Sequence, residues 1–138
     1  MRTTTRGLYA LKAMLALAAS SSKESPVALH HIAEKEGISA EFLQQIFFRL
    51  RKAGLIAAYR GPGGGFYLLK DRSEISVLSV LEAAGESLEL SPCALSREGK
   101  KPACSGFKDC SAGQFWMSLE KEMRAFASAR TLDDLMKA

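Results

Sequence analysis

The chain is 138 residues long, one domain's worth of sequence, with 47% apolar and 25% charged residues. That balance is ordinary for a soluble globular protein and excludes wholesale disorder, a collagen-like repeat and a disulfide-dense scaffold. The net charge of +4 is unevenly spread: residues 1–70 carry ten Lys/Arg against four Asp/Glu, and residues 71–138 nine against eleven. A basic half joined to a mildly acidic half implies that one end meets a polyanion, the bland alternative being chance clustering on a solvated face. No apolar run approaches the ~18 residues of a membrane span and the N-terminus lacks a signal-peptide pattern, so no membrane partner is expected and the expected location is the cytoplasm.

From Thr3 to Ala19, Leu8, Leu11, Met14, Leu15 and Ala18 recur at three- and four-residue steps and predict an amphipathic helix with those side chains inward. Ser20, Ser21, Ser22 and Pro26 break it. A short helix is predicted over 29–36, with Leu29, Ile32 and Ala33 inward and Gly37 ending it. Ser39 is a fitting N-cap for the next helix, Glu41 favours its dipole, and Leu43, Ile46, Phe47 and Leu50 form one apolar face up to Gly54. Two such helices joined by a Gly-containing turn are the signature of a helix-turn-helix.

The period then changes. Residues 55–59 and 66–69 read as two strands around Arg60-Gly61-Pro62-Gly63-Gly64-Gly65, a hairpin in the place of a wing. Val77, Leu78, Val80 and Leu81 suggest a helix to Ala84; residues 88–111 have no helical period and hold Cys93, Cys104 and Cys110. A long helix is predicted from Ala112 through Phe115, Trp116, Leu119, Met123 and Phe126, followed by a short one opened by the capping-box-like Thr131-Leu-Asp-Asp. The fold class is therefore mainly α with a small β-wing: a winged helix-turn-helix plus a long C-terminal dimerisation helix. The domains follow as 1–84 for DNA binding, 85–111 as a cysteine sensor loop, and 112–138 for the dimerisation and C-terminal helices.

Ser39, Glu41, Gln44 and Gln45 lie off the apolar face near the start of the second helix, where base edges are reached in a major groove. Gln bonds adenine bidentately and a carboxylate accepts from cytosine. Arg2, Arg49, Arg51 and Lys52 suit phosphates, while Arg60 with Gly61, Gly63 and Gly64 places an arginine at the wing's edge, fit for a minor groove. Phe48 falls on the polar side; packing beneath a neighbouring element is the expected account and a thymine-methyl contact the alternative. The glycine-rich turn lacks the Lys-Ser/Thr of a phosphate loop, and adjacent His30 and His31 point about 100° apart on a helix and cannot chelate one metal together. No catalytic residues, no enzyme activity and no small-molecule substrate are expected. The odd cysteine count excludes a fully paired disulfide framework, and the spacing is neither a zinc-ribbon pair nor a ferredoxin run. With Lys100, Lys101 and Lys108 favouring thiolate, the three cysteines leave an iron-sulfur cluster, zinc, a thiol switch or inert thiols open.

The sequence resembles the Rrf-two family of bacterial winged-helix regulators, the IscR/NsrR/CymR group. The resemblance rests on Met1-Arg2 through Gly7-x-Tyr9-Ala10, Gly37-Ile38-Ser39 with Phe42-Leu43, residues 49–55, and above all Arg60-Gly61-Pro62-Gly63-Gly64-Gly65-Phe66. The three cysteines ahead of Phe115-Trp116 extend it over nearly the whole chain. It implies a homodimer on a double-stranded DNA operator, acting as a repressor, with Cys93, Cys104 and Cys110 holding a [2Fe-2S] or [4Fe-4S] cluster that senses redox, nitric oxide or iron-sulfur status. Two departures stand out. The first two cysteines lie farther apart than is common in the family. The fourth ligand is unknown: Gly113 stands where IscR-like members carry histidine, and Leu8 where others use an acid from the partner subunit. Asp109, Ser111, Glu98 or a group from the other subunit are the candidates. Gln44 also replaces a glutamate of IscR-like proteins. The alternative within the family is a cluster-free regulator using thiol or partner-protein sensing; from a different class comes a thiol-redox or electron-transfer protein, which would have no use for a wing.

Overall fold

The computed structural model describes residues 2–91 and 109–138. Cys93, Cys104 and Glu98 lie outside the described residues. The element order is α1 (Thr5–Ser20), α2 (Leu29–Glu36), α3 (Ala40–Lys52), β1 (Ile56–Tyr59), β2 (Gly65–Leu68), a 3-10 turn (Arg72–Glu74), α4 (Val77–Ala83), α5 (Ser111–Ala129) and α6 (Leu132–Lys137). Mainly α with one two-stranded antiparallel sheet is the expected class.

Local signals set the helix boundaries. Thr4 caps α1 by accepting from the Gly7 N–H, Ser39 caps α3 by accepting from the Phe42 N–H at 3.2 Å, and Ser76 caps α4 by accepting from Ser79. Each cap satisfies an N–H that the helix itself leaves without a partner. Thr131 and Asp134 form the full capping box of α6. The hydrogen bonds from Thr131 hold the Asp134 carboxyl below its ordinary pKa, and those from Ser73 do the same for Asp71.

The core centres on α3. Leu43, Ile46, Phe47 and Leu50 are all buried, and α1, α2, β1 and α4 pack around that stripe. The buried face of α1 differs from the predicted leucine stripe. Ala10, Ala13, Met14 and Leu17 are fully buried, Leu11 and Leu15 are half-buried, and Leu8 is 54% exposed. Alanines let neighbouring helices approach closely, so Ala10 and Ala13 share the inner face with Met14 and Leu17, and Leu8, Leu11 and Leu15 are turned to its flank.

A second feature without a sequence signal lies at the start of α1. Glu86, just beyond α4, is buried and its carboxylate accepts from the Thr4 N–H at 3.1 Å and from the Thr4 hydroxyl. The carboxylate sits over Gly7, so closely that a Cβ there would collide with Oε2. An anion at a helix N-terminus is favoured by the exposed N–H groups and the macrodipole. Beside it, Arg6 donates to the Gly85 carbonyl at 3.3 Å.

α6 returns the chain to this core. Leu132 is fully buried in the central cluster, its N–H donates to the Ile75 carbonyl at 3.0 Å, and the Val77 N–H donates to the Arg130 carbonyl at 2.8 Å. Asp133 ties α6 to the 3-10 turn through Arg72 at 2.9 Å and pairs within the helix with Lys137 at 2.7 Å. The Asp133 bond raises the Lys137 pKa above its ordinary value.

The Gly7–Glu86 contact predicts a reversal. Gly7→Ala should destabilise the protein by about 1–3 kcal/mol through overpacking. In a Glu86→Ala background the same change should be neutral or stabilising, because alanine is the better helix former by about 1 kcal/mol. Thermal or urea denaturation of the four variants checks it; equal effects in both backgrounds would refute the contact.

Candidate nucleic-acid interface

α2, the turn at Gly37–Ser39 and α3 make the helix-turn-helix. Because the inner stripe of α3 is filled, its other side must face solvent, and Ser39, Glu41, Gln44, Gln45, Arg49, Arg51 and Lys52 are all exposed. Glu41, Gln44, Gln45, Phe48 and Lys52 line one shallow groove of about 820 Å³ along this outer side. The first turn carries one acid, Glu41, and the last turn three cations, Arg49, Arg51 and Lys52. That polarity suits the helix dipole and places the cations together at one end.

Phe48 is a correction. It packs beneath nothing and is 68% exposed. Phe47 takes its expected place in the inner stripe, where its ring meets Phe66 edge-on at 4.8 Å. The next residue on a helix is turned by about 100°, so burying Phe47 sends Phe48 outward.

The hairpin behind α3 pairs Ile56 with Leu68 and Tyr59 with Gly65. At its tip Gly61 (φ 129°) and Gly63 (φ 72°) adopt backbone that other residues rarely take, and the Gly64 N–H closes the turn on the Gly61 carbonyl at 2.9 Å. Arg60, Gly61 and Gly63 are exposed, and Gly64 is half-buried. Val27, from the segment before α2, exchanges two backbone hydrogen bonds with Phe66, at 2.9 and 2.7 Å. Sequence reasoning missed this anchor; a β-branched residue in a short extended stretch after Pro26 is the signal that was available.

Of the expected phosphate contacts, Arg2 sits apart from the others, whereas Arg49 lines the α3 groove with Phe48 and Lys52. Arg2 lies against the 86–90 segment and Met123. Arg49 extends its guanidinium to within 2.9 Å of where a Cβ on Gly85 would stand, close to Arg6. His30 and His31 are exposed.

Of the cysteines, Cys110 is described. It is half-buried and caps α5, its Sγ accepting the Gly113 N–H at 3.4 Å. Among the described residues, no three His, Cys, Asp or Glu side chains converge on a metal site. Asp109 and Ser111 are exposed beside Cys110. Among the described residues, no helix is long and apolar enough to cross a membrane.

A helix-turn-helix with a polar, basic outer face and a glycine-tipped hairpin behind it defines a winged-helix DNA-binding regulator. Residues 3–138 match the Rrf2 family, described as "Iron-dependent Transcriptional regulator". The HTH-type transcriptional regulator IscR of Serratia proteamaculans is 43% identical over 136 residues, covering 99% of this chain and 79% of that relative. Among solved structures, IscR of T. potens superposes with a TM-score of 0.74 at 30% identity, covering 99% of this chain and 87% of that one. CymR, the global cysteine regulator of B. subtilis, superposes with a TM-score of 0.76 at 25% identity, over 98% of this chain and 95% of that one. The chain belongs to the Rrf2 family. It is a DNA-binding transcriptional regulator and not an enzyme.

Proposed function

We propose that this chain is a homodimeric repressor that reads a two-fold operator in the cytoplasm and adjusts its grip through Cys93, Cys104 and Cys110. The observation that carries the reading half is the outer stripe of α3, which offers Glu41, Gln44 and Gln45 to base edges with Arg51 and Lys52 for the flanking phosphates. Arg60, exposed beside the glycine tip, supplies a minor-groove arginine. Residues 1–84 form the reader, 85–111 the sensor, and 112–138 the dimerisation helix α5 and the C-terminal helix α6.

Dimerisation is supported by α5. Phe115, Trp116, Met117 and Phe126 are large apolar side chains left exposed on it, Phe126 by 64%. Monomeric proteins rarely leave so much apolar surface on one element uncovered. A two-fold pair also sets two recognition helices about one DNA turn (~34 Å) apart.

The donor chemistry at Cys110 fits a cluster ligand. Its sulfur accepts a backbone N–H at a helix N-terminus, and such hydrogen bonds tune iron-sulfur centres. Cys93, Cys104 and Cys110 would hold the [2Fe-2S] or [4Fe-4S] group, which when bound supplies a redox- and oxygen-sensitive iron centre. IscR-type relatives support this assignment. The second reading is a cluster-free thiol sensor. It is favoured by Gly113 and Leu8, which offer no fourth ligand, and by the likeness to a cysteine regulator.

Operator affinity should fall steeply with salt, with a log–log slope of about −0.9 per phosphate neutralised. Lys52→Ala should lower that slope by about one, whereas Arg60→Ala should weaken binding by about five- to tenfold and erase preference at one base step. Titration against selected and scrambled duplexes checks both; equal affinity for the two would end the repressor reading.

Sedimentation should show a dimer at micromolar concentration. Phe126→Glu should shift it toward monomer and weaken operator binding at least tenfold, while a monomer that still gripped a two-fold operator would contradict the proposed interface.

Anaerobic reconstitution with iron and sulfide should yield visible thiolate-to-iron absorption that Ala at any one of Cys93, Cys104 or Cys110 abolishes. A colourless protein whose DNA affinity responds to thiol oxidation would instead establish the cluster-free reading.

A further inference from the structure

We infer that Phe48 is a base-reading residue whose ring recognises the C5-methyl group of a thymine in each operator half-site. The inference rests on the DNA-reading role of α3 proposed above and names a contact that role does not include. Phe48 follows Glu41, Gln44 and Gln45 at the seventh, fourth and third step and precedes Lys52 by four, so all five share one face of the helix. They line the same groove. Its exposure of 68% is the highest among the large apolar side chains of the described residues, and the other residues of its stripe are polar or charged.

An aromatic ring set alone in a hydrogen-bonding stripe has no donor or acceptor to offer a base edge. On the floor of a major groove, the apolar group it can meet is the thymine methyl. Charge selects DNA over a protein as the occupant: Arg49, Arg51 and Lys52 surround Phe48 in the last turn and leave Glu41, a full turn or more away, as the one acid of α3's first turn. A rise of about 1.5 Å per residue puts Phe48 roughly 4.5 Å beyond Gln45 along the helix axis, one to two base steps further on. Gln45 and Phe48 together would then read neighbouring A·T pairs, the amide by hydrogen bonds to adenine and the ring by apolar contact.

The test uses the full-length protein and a duplex selected from random sequence by the wild type. Each thymine of the half-site is replaced in turn by deoxyuridine, which removes the methyl and nothing else. At one position per half-site the wild type should lose about fourfold in affinity, the worth of one buried methyl-sized group. Phe48→Ala should bind more weakly to the thymine duplex and be indifferent to uracil there, with an unchanged salt slope. Phe48→Leu, apolar and a good helix former, should keep part of the sensitivity. A wild type indifferent to uracil at every position, or a Phe48→Ala protein as sensitive as the wild type, overturns the inference while leaving operator binding intact. A change of oligomeric state in Phe48→Ala in place of the uracil effect assigns the ring to a protein contact and overturns it too. If the wild type selects no duplex at all, the inference falls together with the reading on which it rests.

Discussion

The proposed DNA-reading side chains of α3 and the wing behind it are positioned by the burial of one stripe of α3. Leu43, Ile46, Phe47 and Leu50 are each at most 1% exposed, and each buried side chain of this kind contributes about 1.5–3 kcal/mol relative to exposure. Turning the helix by a single residue would keep Phe47 inward but replace Leu43, Ile46 and Leu50 by Gln44, Phe48 and Arg51, so its orientation about its own axis is fixed with little latitude. The polar residues gain their direction from this and need no interaction of their own to hold it. Phe47 extends the same constraint to the hairpin through its edge-on contact with Phe66, and Val27 clamps the opposite side of that strand. Reader helix and wing are therefore two faces of one packed unit.

The segment 85–86 is the place where this unit meets the chain leading to the cysteines. Glu86 closes the N-terminus of α1, Arg6 bonds the Gly85 carbonyl, and Arg49 of α3 lies against the same glycine. Both helices thus touch a two-residue joint, and the joint contains a buried carboxylate whose partners are a backbone N–H and a hydroxyl. A buried charge satisfied in this way is costly to displace. Its neighbours are held accordingly: Gly7 is there because nothing larger fits under the carboxylate.

What the sequence made legible is what local chemistry decides. α2 spans Leu29–Glu36 as its apolar spacing predicts, Ser39 caps α3, the inner stripe of α3 is the expected one, and the glycine-rich turn forms a hairpin tip. The features it concealed depend on residues far apart in the chain. Thr4 and Glu86 are 82 positions apart, and nothing near either announces the other. Gly7 alone looks like a weak point in a helix. On α1 the expected Met14 is buried, but close packing selected Ala10, Ala13 and Leu17 beside it and left Leu8, Leu11 and Leu15 on the flank. Phe48 falls on the polar side with a neighbouring element expected to cover it, yet no such element among the described residues reaches it and the ring stays exposed. The cysteines illustrate a different boundary, since spacing reports candidate ligands but convergence is a property of the folded loop.

The return of α6 has a consequence for how the protein is born. The cluster that holds α1, α3 and α4 also contains Leu132, so the reader's core lacks a piece until that residue has been synthesised. At ~5–20 residues per second, translation from Ala84 to Leu132 takes roughly 2–10 s. During that interval the nascent chain has its recognition helix but not the plug that completes the core behind it. A ribosome stalled in the cysteine segment would therefore hold an unfinished reader, whose core is complete only once α6 has been made.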